Sequence, residues 1–205
     1  AERHDTLVKL KETEDRLMFR ALHSGTTGLP NRNLMRECLR LLIKHDLEVE
    51  IRFSLLLVNF RNFHEFNKTL GHQNGDTILR VLAEKLNQCV ISCPFIHPIE
   101  QDKGHHTATI EGVTFGFVLK NATPLQTLEF AHIALQQLEQ PFTFQGMSLQ
   151  MDACMGISQY PLHGNTPDQL MRSAQIALEL ASNHQSFVVE IVGLTPHCEK
   201  VEMNV

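Results

Sequence analysis

The spacing of apolar positions divides the chain into alternating helical and extended stretches. Residues 1–23 predict a charged helix in which Leu7, Leu10, Glu14, Leu17 and Ala21 recur at alternating three- and four-residue steps, the seam of a coiled coil. So short a seam, with Glu14 inside it, would not hold a dimer alone. It suits either a linker helix docked on the following domain or the end of a signalling coiled coil that joins a partner chain or an upstream sensor. After a loop over residues 25–31, Pro30 and Asn31 start a helix with Leu34, Met35, Cys38, Leu41 and Leu42 on one face. Residues 53–58 form a short apolar run that predicts a buried strand. Phe60, Phe63 and Phe66 then turn the chain helical. Gly71-His72 ends that helix, and Asn74-Gly75-Asp76 marks a turn. Ile78, Leu79, Leu82 and Leu86, widened by Val81, make a long amphipathic helix that ends near Val90.

The second half repeats this alternation. Residues 107–120 alternate and then run apolar, which predicts a β-hairpin with Glu111-Gly112 at its tip. Residues 124–139 read as a helix with Leu125, Leu128, Ala131, Leu135 and Leu138 inward. Residues 142–144 and 149–157 read as a second hairpin around Gly146, residues 168–181 as the last long helix and residues 187–192 as the last strand. The tail after Gly193 is polar. No internal repeat or low-complexity segment interrupts the pattern. The expected division is a linker helix over 1–23, a domain over 24–193 and a polar tail over 194–205.

Composition narrows the function. A net charge of −5 and a single Tyr without Trp give neither a basic footprint nor base-stacking platforms, so nucleic acid is not an expected partner. No apolar run is long enough to span a bilayer and no signal peptide is evident, so no direct membrane contact is expected. Five scattered cysteines suit reduced thiols in the cytoplasm better than a disulfide framework. The irregular stretch 89–106 holds Cys89, Cys93, His97, His105 and His106, which are metal-ligand types. Their spacing is not a standard zinc pattern, and buried thiols with surface histidines are the favoured reading. The chain begins at Ala1 rather than Met, which suits a module taken from a longer protein.

Polar residues at the top of a strand and at helix starts are where α/β folds place ligands, and the run from Leu55 to Asp76 has both. That run resembles the GGDEF domain, the diguanylate cyclase fold of bacterial cyclic-di-GMP signalling. Thr27-Gly28-Leu29-Pro30-Asn31-Arg32 is similar to the family's opening motif, although Ser24 and Thr26 stand where the family usually has Asp and Leu. Gly156-Ile157-Ser158 with Tyr160-Pro161-Leu162-His163-Gly164 resembles its late strand and turn, and residues 174–178 its last helix. The resemblance covers roughly residues 20–192. It implies an α/β fold in which helices wrap a central, mostly antiparallel, five-stranded sheet.

The resemblance also implies a site. A cyclase of this family joins two GTP molecules with divalent metal held by carboxylates, one just after the central strand and another in the acidic pair of the signature. Here the post-strand position is Asn59, and the signature reads Glu111-Gly112-Val113-Thr114-Phe115. Glu111 would crowd space that a glycine leaves to the nucleotide. His64, Ser182 and Ser186 replace family cations that grip phosphate. Asn67 and Asp76 keep the positions that hydrogen-bond the guanine edge, though Asp76 also suits a helix cap near Thr77 and Asn67 the close of the preceding helix. Asp102 and His105 stand where the family's product-feedback Arg and Asp would be. The expectations that follow are no catalytic residue, no bound metal, no Mg²⁺ and no enzyme activity. The chain would be a cytoplasmic regulatory or dimerisation module, or alternatively a non-catalytic guanine-nucleotide sensor with GTP as effector. It could belong to the cytoplasmic part of a membrane-anchored sensor. The expected partners are neighbouring domains of the same protein, such as an EAL phosphodiesterase domain, with a second copy of the chain and a guanine nucleotide as further candidates.

Overall fold

The computed structural model describes residues 2–46, 50–183 and 189–191. In chain order the elements are α1 (Glu2–Leu22), α2 (Arg32–Asp46), β1 (Phe53–Phe60), α3 (Phe63–Leu70), α4 (His72–Ile91), β2 (Ile96–His97), β3 (Ala108–Glu111), β4 (Thr114–Lys120), α5 (Pro124–Leu138), β5 (Phe142–Phe144), β6 (Met147–Leu149), β7 (Ala153–Tyr160), α6 (Pro167–Asn183) and β8 (Val189–Ile191). The fold is mixed α/β. The main sheet runs β4–β1–β7–β8, and β2 and β3 share the outer edge of β4. All its pairings are antiparallel except β7 with β8.

Strand β1 lies at the middle of this sheet and is buried on both faces, which is why its sequence is an unbroken apolar run rather than an alternation. Successive side chains go to opposite faces. Leu56 and Val58 enter one core with Ile78, Leu82 and Leu86 of α4 and Ala131, Leu135 and Leu138 of α5. Leu55 and Leu57 enter a second core with Met35, Leu39 and Leu42 of α2 and Leu170, Ala174 and Leu178 of α6. Helices thus cover both faces of the sheet.

Local chemistry sets several boundaries. Thr123-Pro124-Leu125-Gln126 opens α5 as a capping box: Gln126 N–H donates to Thr123 Oγ1 (3.2 Å), and Thr123 N–H donates to Gln126 Oε1 (2.9 Å). At the other end of α5, Lys85 Nζ donates to the Leu138 carbonyl (2.7 Å) and to that of Gln140. These bonds satisfy carbonyls that a helix end leaves open and tie α4 to α5. Gly71 separates α3 from α4.

Several expectations need correcting. Phe60 completes β1 instead of starting a helix, because it pairs with Ala153 across the sheet. Asn74-Gly75-Asp76 is not a turn: α4 starts at His72 and runs through it. Leu41 and Leu125 are exposed, and Leu39 takes the inward place on α2. Residues 142–157 do not form one hairpin. β5 and β6 pair as a small separate sheet, and β7 crosses to the main sheet beside β1. Along α1, Leu7, Leu10 and Leu17 are exposed. The polar tail expected over 194–205 lies outside the described residues.

The turn between β7 and α6 carries a pH-sensitive contact. His163 Nδ1 accepts a hydrogen bond from Gln159 N–H (2.8 Å), so this ring is held neutral at Nδ1. Burial pushes its pKa down. The unfolded chain therefore takes up this proton first, near the ordinary value of about 6.5. The contribution is fully present above that value and is lost as pH falls through it toward the folded-state value. His163→Asn keeps an acceptor at the same place but does not titrate. Between about pH 7.5 and 5.5, its urea midpoint should fall less than that of the parent protein; parallel curves would remove His163 from the pH response.

Candidate functional site

The top of β1 and the tip of the β3–β4 hairpin lie side by side because Asn59 pairs in register with Thr114. The chain leaves β1 through Asn62, whose left-handed backbone (φ 65°) turns it into α3. Asn62 Nδ2 donates to Asp152 Oδ2 (3.3 Å), and Arg61 N–H donates to the Asp152 carbonyl (2.8 Å), which anchors the turn. At the hairpin tip Gly112 adopts φ 51°, a conformation that favours glycine. Between these turns opens a pocket of about 700 Å³, lined among others by Asn59, Phe63, His64, Asn67, Gly112 and Val113.

The signature positions are largely engaged with one another. Asn59 Nδ2 donates to Thr114 Oγ1 (2.9 Å). Val113 packs against the core under the pocket, and Phe115 is fully buried edge-to-face with Phe60. Glu111 is exposed and is not among the residues lining this pocket. The lining residues include no carboxylate. They therefore do not fit a Mg²⁺ ion held by protein carboxylates, the donor set that hard cations prefer.

The expected guanine-reading pair is split. Asn67 lines the pocket, and its Oδ1 is buried with no hydrogen-bond partner. Its side chain lies flat on Gly75, where a Cβ would come within 1.9 Å of Oδ1. Asp76 is exposed on α4 and does not line the pocket. His64 and Ser182 do line it, whereas Ser186 lies outside the described residues. The cation that sequence reasoning missed is Arg61, another lining residue. Burial pushes the Glu139 carboxyl up, and Arg61 is close enough to pull against that shift. The signal was available: Arg61 directly follows β1, at the carboxyl end of a strand, where ligands gather.

The family model for the diguanylate cyclase GGDEF domain matches residues 21–186. The chain belongs to the GGDEF family. MucR of Pseudomonas aeruginosa, a bifunctional diguanylate cyclase/cyclic di-GMP phosphodiesterase, is 27% identical over 171 residues, which is 83% of this chain and 23% of MucR. The diguanylate cyclase TpbB of the same species is 25% identical over 176 residues, 85% of this chain and 38% of TpbB. The chain thus spans well under half the length of these relatives. The solved GGDEF domain of P. aeruginosa TpbB superimposes with a TM-score of 0.71 at 23% identity, covering 84% of this chain and 95% of that one.

These relatives correct one expectation. The chain was expected not to be an enzyme, yet a named diguanylate cyclase matches it over 85% of its length. The physical reason is in the site. Neutral side chains at Asn59 and Val113 alter the donor set without closing the pocket, and the backbone turn at Gly112 still lines it. Relatives of this GGDEF domain act in cyclic-di-GMP signalling. Among the described residues, no helix is long and apolar enough to cross a membrane.

Proposed function

We propose that this GGDEF domain binds a guanine nucleotide in the pocket between α3 and the β3–β4 hairpin and transmits its occupancy to a neighbouring domain of a longer cyclic-di-GMP signalling protein. The observation that carries the reading is Asn67, a residue lining the open pocket whose Oδ1 is buried against Gly75 without a hydrogen-bond partner. A buried acceptor left unsatisfied costs about 1–3 kcal/mol, and the donor-rich edge of guanine would relieve that cost. Gly112 supports close approach of the ligand to the backbone, Arg61 supplies positive charge beside it, and His64 adds a polar ring to the lining. MucR and TpbB are both much longer than the matched segment, which supports a neighbouring domain as the recipient of the signal. Leu7, Leu10 and Leu17, exposed along α1, support a second copy of the chain as a further partner. A GTP ligand makes the cytoplasm the compartment of this reading.

Calorimetric titration with GTP tests it, with and without Mg²⁺. We expect saturable heat that Asn67→Ala weakens by roughly tenfold, the worth of about one well-made hydrogen bond. Heat indifferent to Asn67→Ala, or none at millimolar GTP, refutes nucleotide binding at this pocket.

A further inference from the structure

The second concentration of chemistry lies away from the pocket, where α1 enters the domain. His23, Glu100 and His105 come from three points of the sequence, and their ligand atoms all lie within 4.8 Å of one another. His23 Nε2 is 3.0 Å from Glu100 Oε2, and His105 Nδ1 is 2.7 Å from the same oxygen. The Glu100 and His105 backbones are locked face to face. Glu100 N–H donates to the His105 carbonyl (3.1 Å), His105 N–H donates to the Glu100 carbonyl (3.0 Å), and Gly104 closes the turn at φ 66°. A rigid turn therefore presents two of the three groups, and the chain leaving α1 presents the third.

The surroundings of His23 are informative. Its Nδ1 lies 2.9 Å from the Phe19 carbonyl and its Nε2 3.0 Å from the Glu100 carboxylate, so both ring nitrogens face acceptors. A neutral imidazole carries one N–H. Given to the Phe19 carbonyl, that proton leaves a lone pair on Nε2 aimed at a carboxylate oxygen. Either a second proton or a metal cation between them resolves the conflict. A metal-binding histidine typically has this arrangement, donating its other N–H to a backbone carbonyl, which fixes tautomer and ring orientation. The His23 side chain is 4% exposed, and its ring stacks on Phe19 at 3.9 Å, so it has little freedom to turn away. Lys103 Nζ contacts the other carboxylate oxygen, Oε1, at 3.3 Å and leaves Oε2 to the two histidines. With its side chain 46% exposed, Lys103 can withdraw toward solvent as a dication arrives.

We propose that His23, Glu100 and His105 form a site for a divalent transition metal of the Zn²⁺ class. Two imidazoles and one carboxylate, with a water in the fourth position, make a standard open zinc set. Metal–ligand bonds of about 2.0–2.2 Å place tetrahedral ligand atoms roughly 3.3–3.5 Å apart. Reaching that spacing opens the 3.0 Å His23–Glu100 contact by about 0.3–0.5 Å and the 2.7 Å His105–Glu100 contact by about 0.6–0.8 Å. Side-chain exposures of 19% for Glu100 and 28% for His105 leave a path from solvent. The site differs from the Cys/His set that sequence spacing brings up: Cys89 and Cys93 are buried in the core, and only His105 of that set takes part. A bound metal would pin the C-terminal end of α1 to the β2–β3 segment, stiffening the joint through which α1 meets the domain.

The test is Zn²⁺ titrated into the chelator-stripped, full chain, followed by calorimetry and by hydrogen exchange at the end of α1. We expect one tight equivalent per chain and slower exchange near residues 19–23 when the metal is bound. Glu100→Gln and His105→Gln should each weaken binding by at least 10- to 100-fold, whereas His132→Gln, an exposed histidine elsewhere, should change nothing. Circular dichroism establishes that each variant is folded. Should a ligand variant fail to fold, Co²⁺ added to the parent protein must give the ligand-field band of a low-coordinate His/carboxylate site. Absence of that band, no uptake at stoichiometric Zn²⁺, or uptake that His132→Gln reduces as much as Glu100→Gln would overturn the proposal and leave a proton-bridged triad.

Discussion

Gly156→Ala should destabilise the domain by about 3 kcal/mol or more, at the upper end of what overpacking costs, lowering the thermal midpoint by roughly 10 °C. Gly156 sits in β7 opposite Leu57, on the face covered by α6. A Cβ there would lie 2.3 Å from the Leu178 nitrogen and 2.4 Å from the Ala174 carbonyl oxygen. Both are backbone atoms of a regular helix, so no rotamer change relieves the clash, and α6 must move as a body. Gly116 provides the control. It flanks Leu57 from the other side, on β4. Its nearest neighbours would be the ends of the Leu57 and Ile110 side chains at 3.1 and 3.2 Å. Those ends can shift, so Gly116→Ala should cost no more than about 1 kcal/mol. Equal losses for the two substitutions in urea unfolding would show that helix approach at Gly156 is not what decides its identity.

The sequence revealed this fold where one constraint acted alone. The apolar run of β1 is legible because a strand covered on both faces needs no polar alternation, and α5 is legible because Leu128, Ala131, Leu135 and Leu138 recur at helical spacing on its inward face. Reading failed where tertiary pairing outweighed a local signal. Phe60 fits the helical spacing of Phe63 and Phe66, yet pairing with β7 keeps it in the strand. Asn74-Gly75-Asp76 has turn chemistry, yet α4 runs through it from His72, with Gly75 N–H donating to the Gly71 carbonyl (3.1 Å). Gly75 is needed there for another reason, since the Asn67 side chain occupies the space a Cβ would fill.

The site was legible as a list of positions but not as a geometry. Asn59, Gly112 and Val113 line one pocket with Asn67, whereas Glu111, Thr114 and Phe115 of the signature do not. Spacing could not show that Glu111 turns away or that Asn59 hydrogen-bonds Thr114, because both depend on hairpin register. The cluster at His23 was invisible for a stronger reason: its members are separated by 77 and 5 residues, and only the folded backbone unites them. Of the cysteines and histidines in the run 89–106, only His105 joins this cluster, while the thiols of Cys89 and Cys93 serve the core.

Phe117→Ala should cost about 3–5 kcal/mol, the range for removing a buried aromatic ring, and lower the thermal midpoint by about 10–15 °C. Phe117 is fully buried in β4, opposite Leu56 of β1. Its ring meets Phe130 edge-to-face at 5.9 Å and 86°, a favoured aromatic geometry. Walls made of strands β1 and β4 cannot collapse into the void without breaking register, so little of the loss is recovered. Phe117→Leu keeps most of the volume and should cost about 1.5 kcal/mol or less. The same core contains Phe60 and Phe63, which line the pocket, with Val113 packed against it. A ligand that binds only the folded state raises stability by an amount set by its concentration and affinity. Saturating GTP should therefore raise the midpoint of Phe117→Leu about as much as that of the parent, because the floor of the pocket is kept. It should raise that of Phe117→Ala by less, because the floor has softened. Equal increments in all three proteins would mean that the pocket is held by its own turns at Asn62 and Gly112 and is independent of the core beneath it.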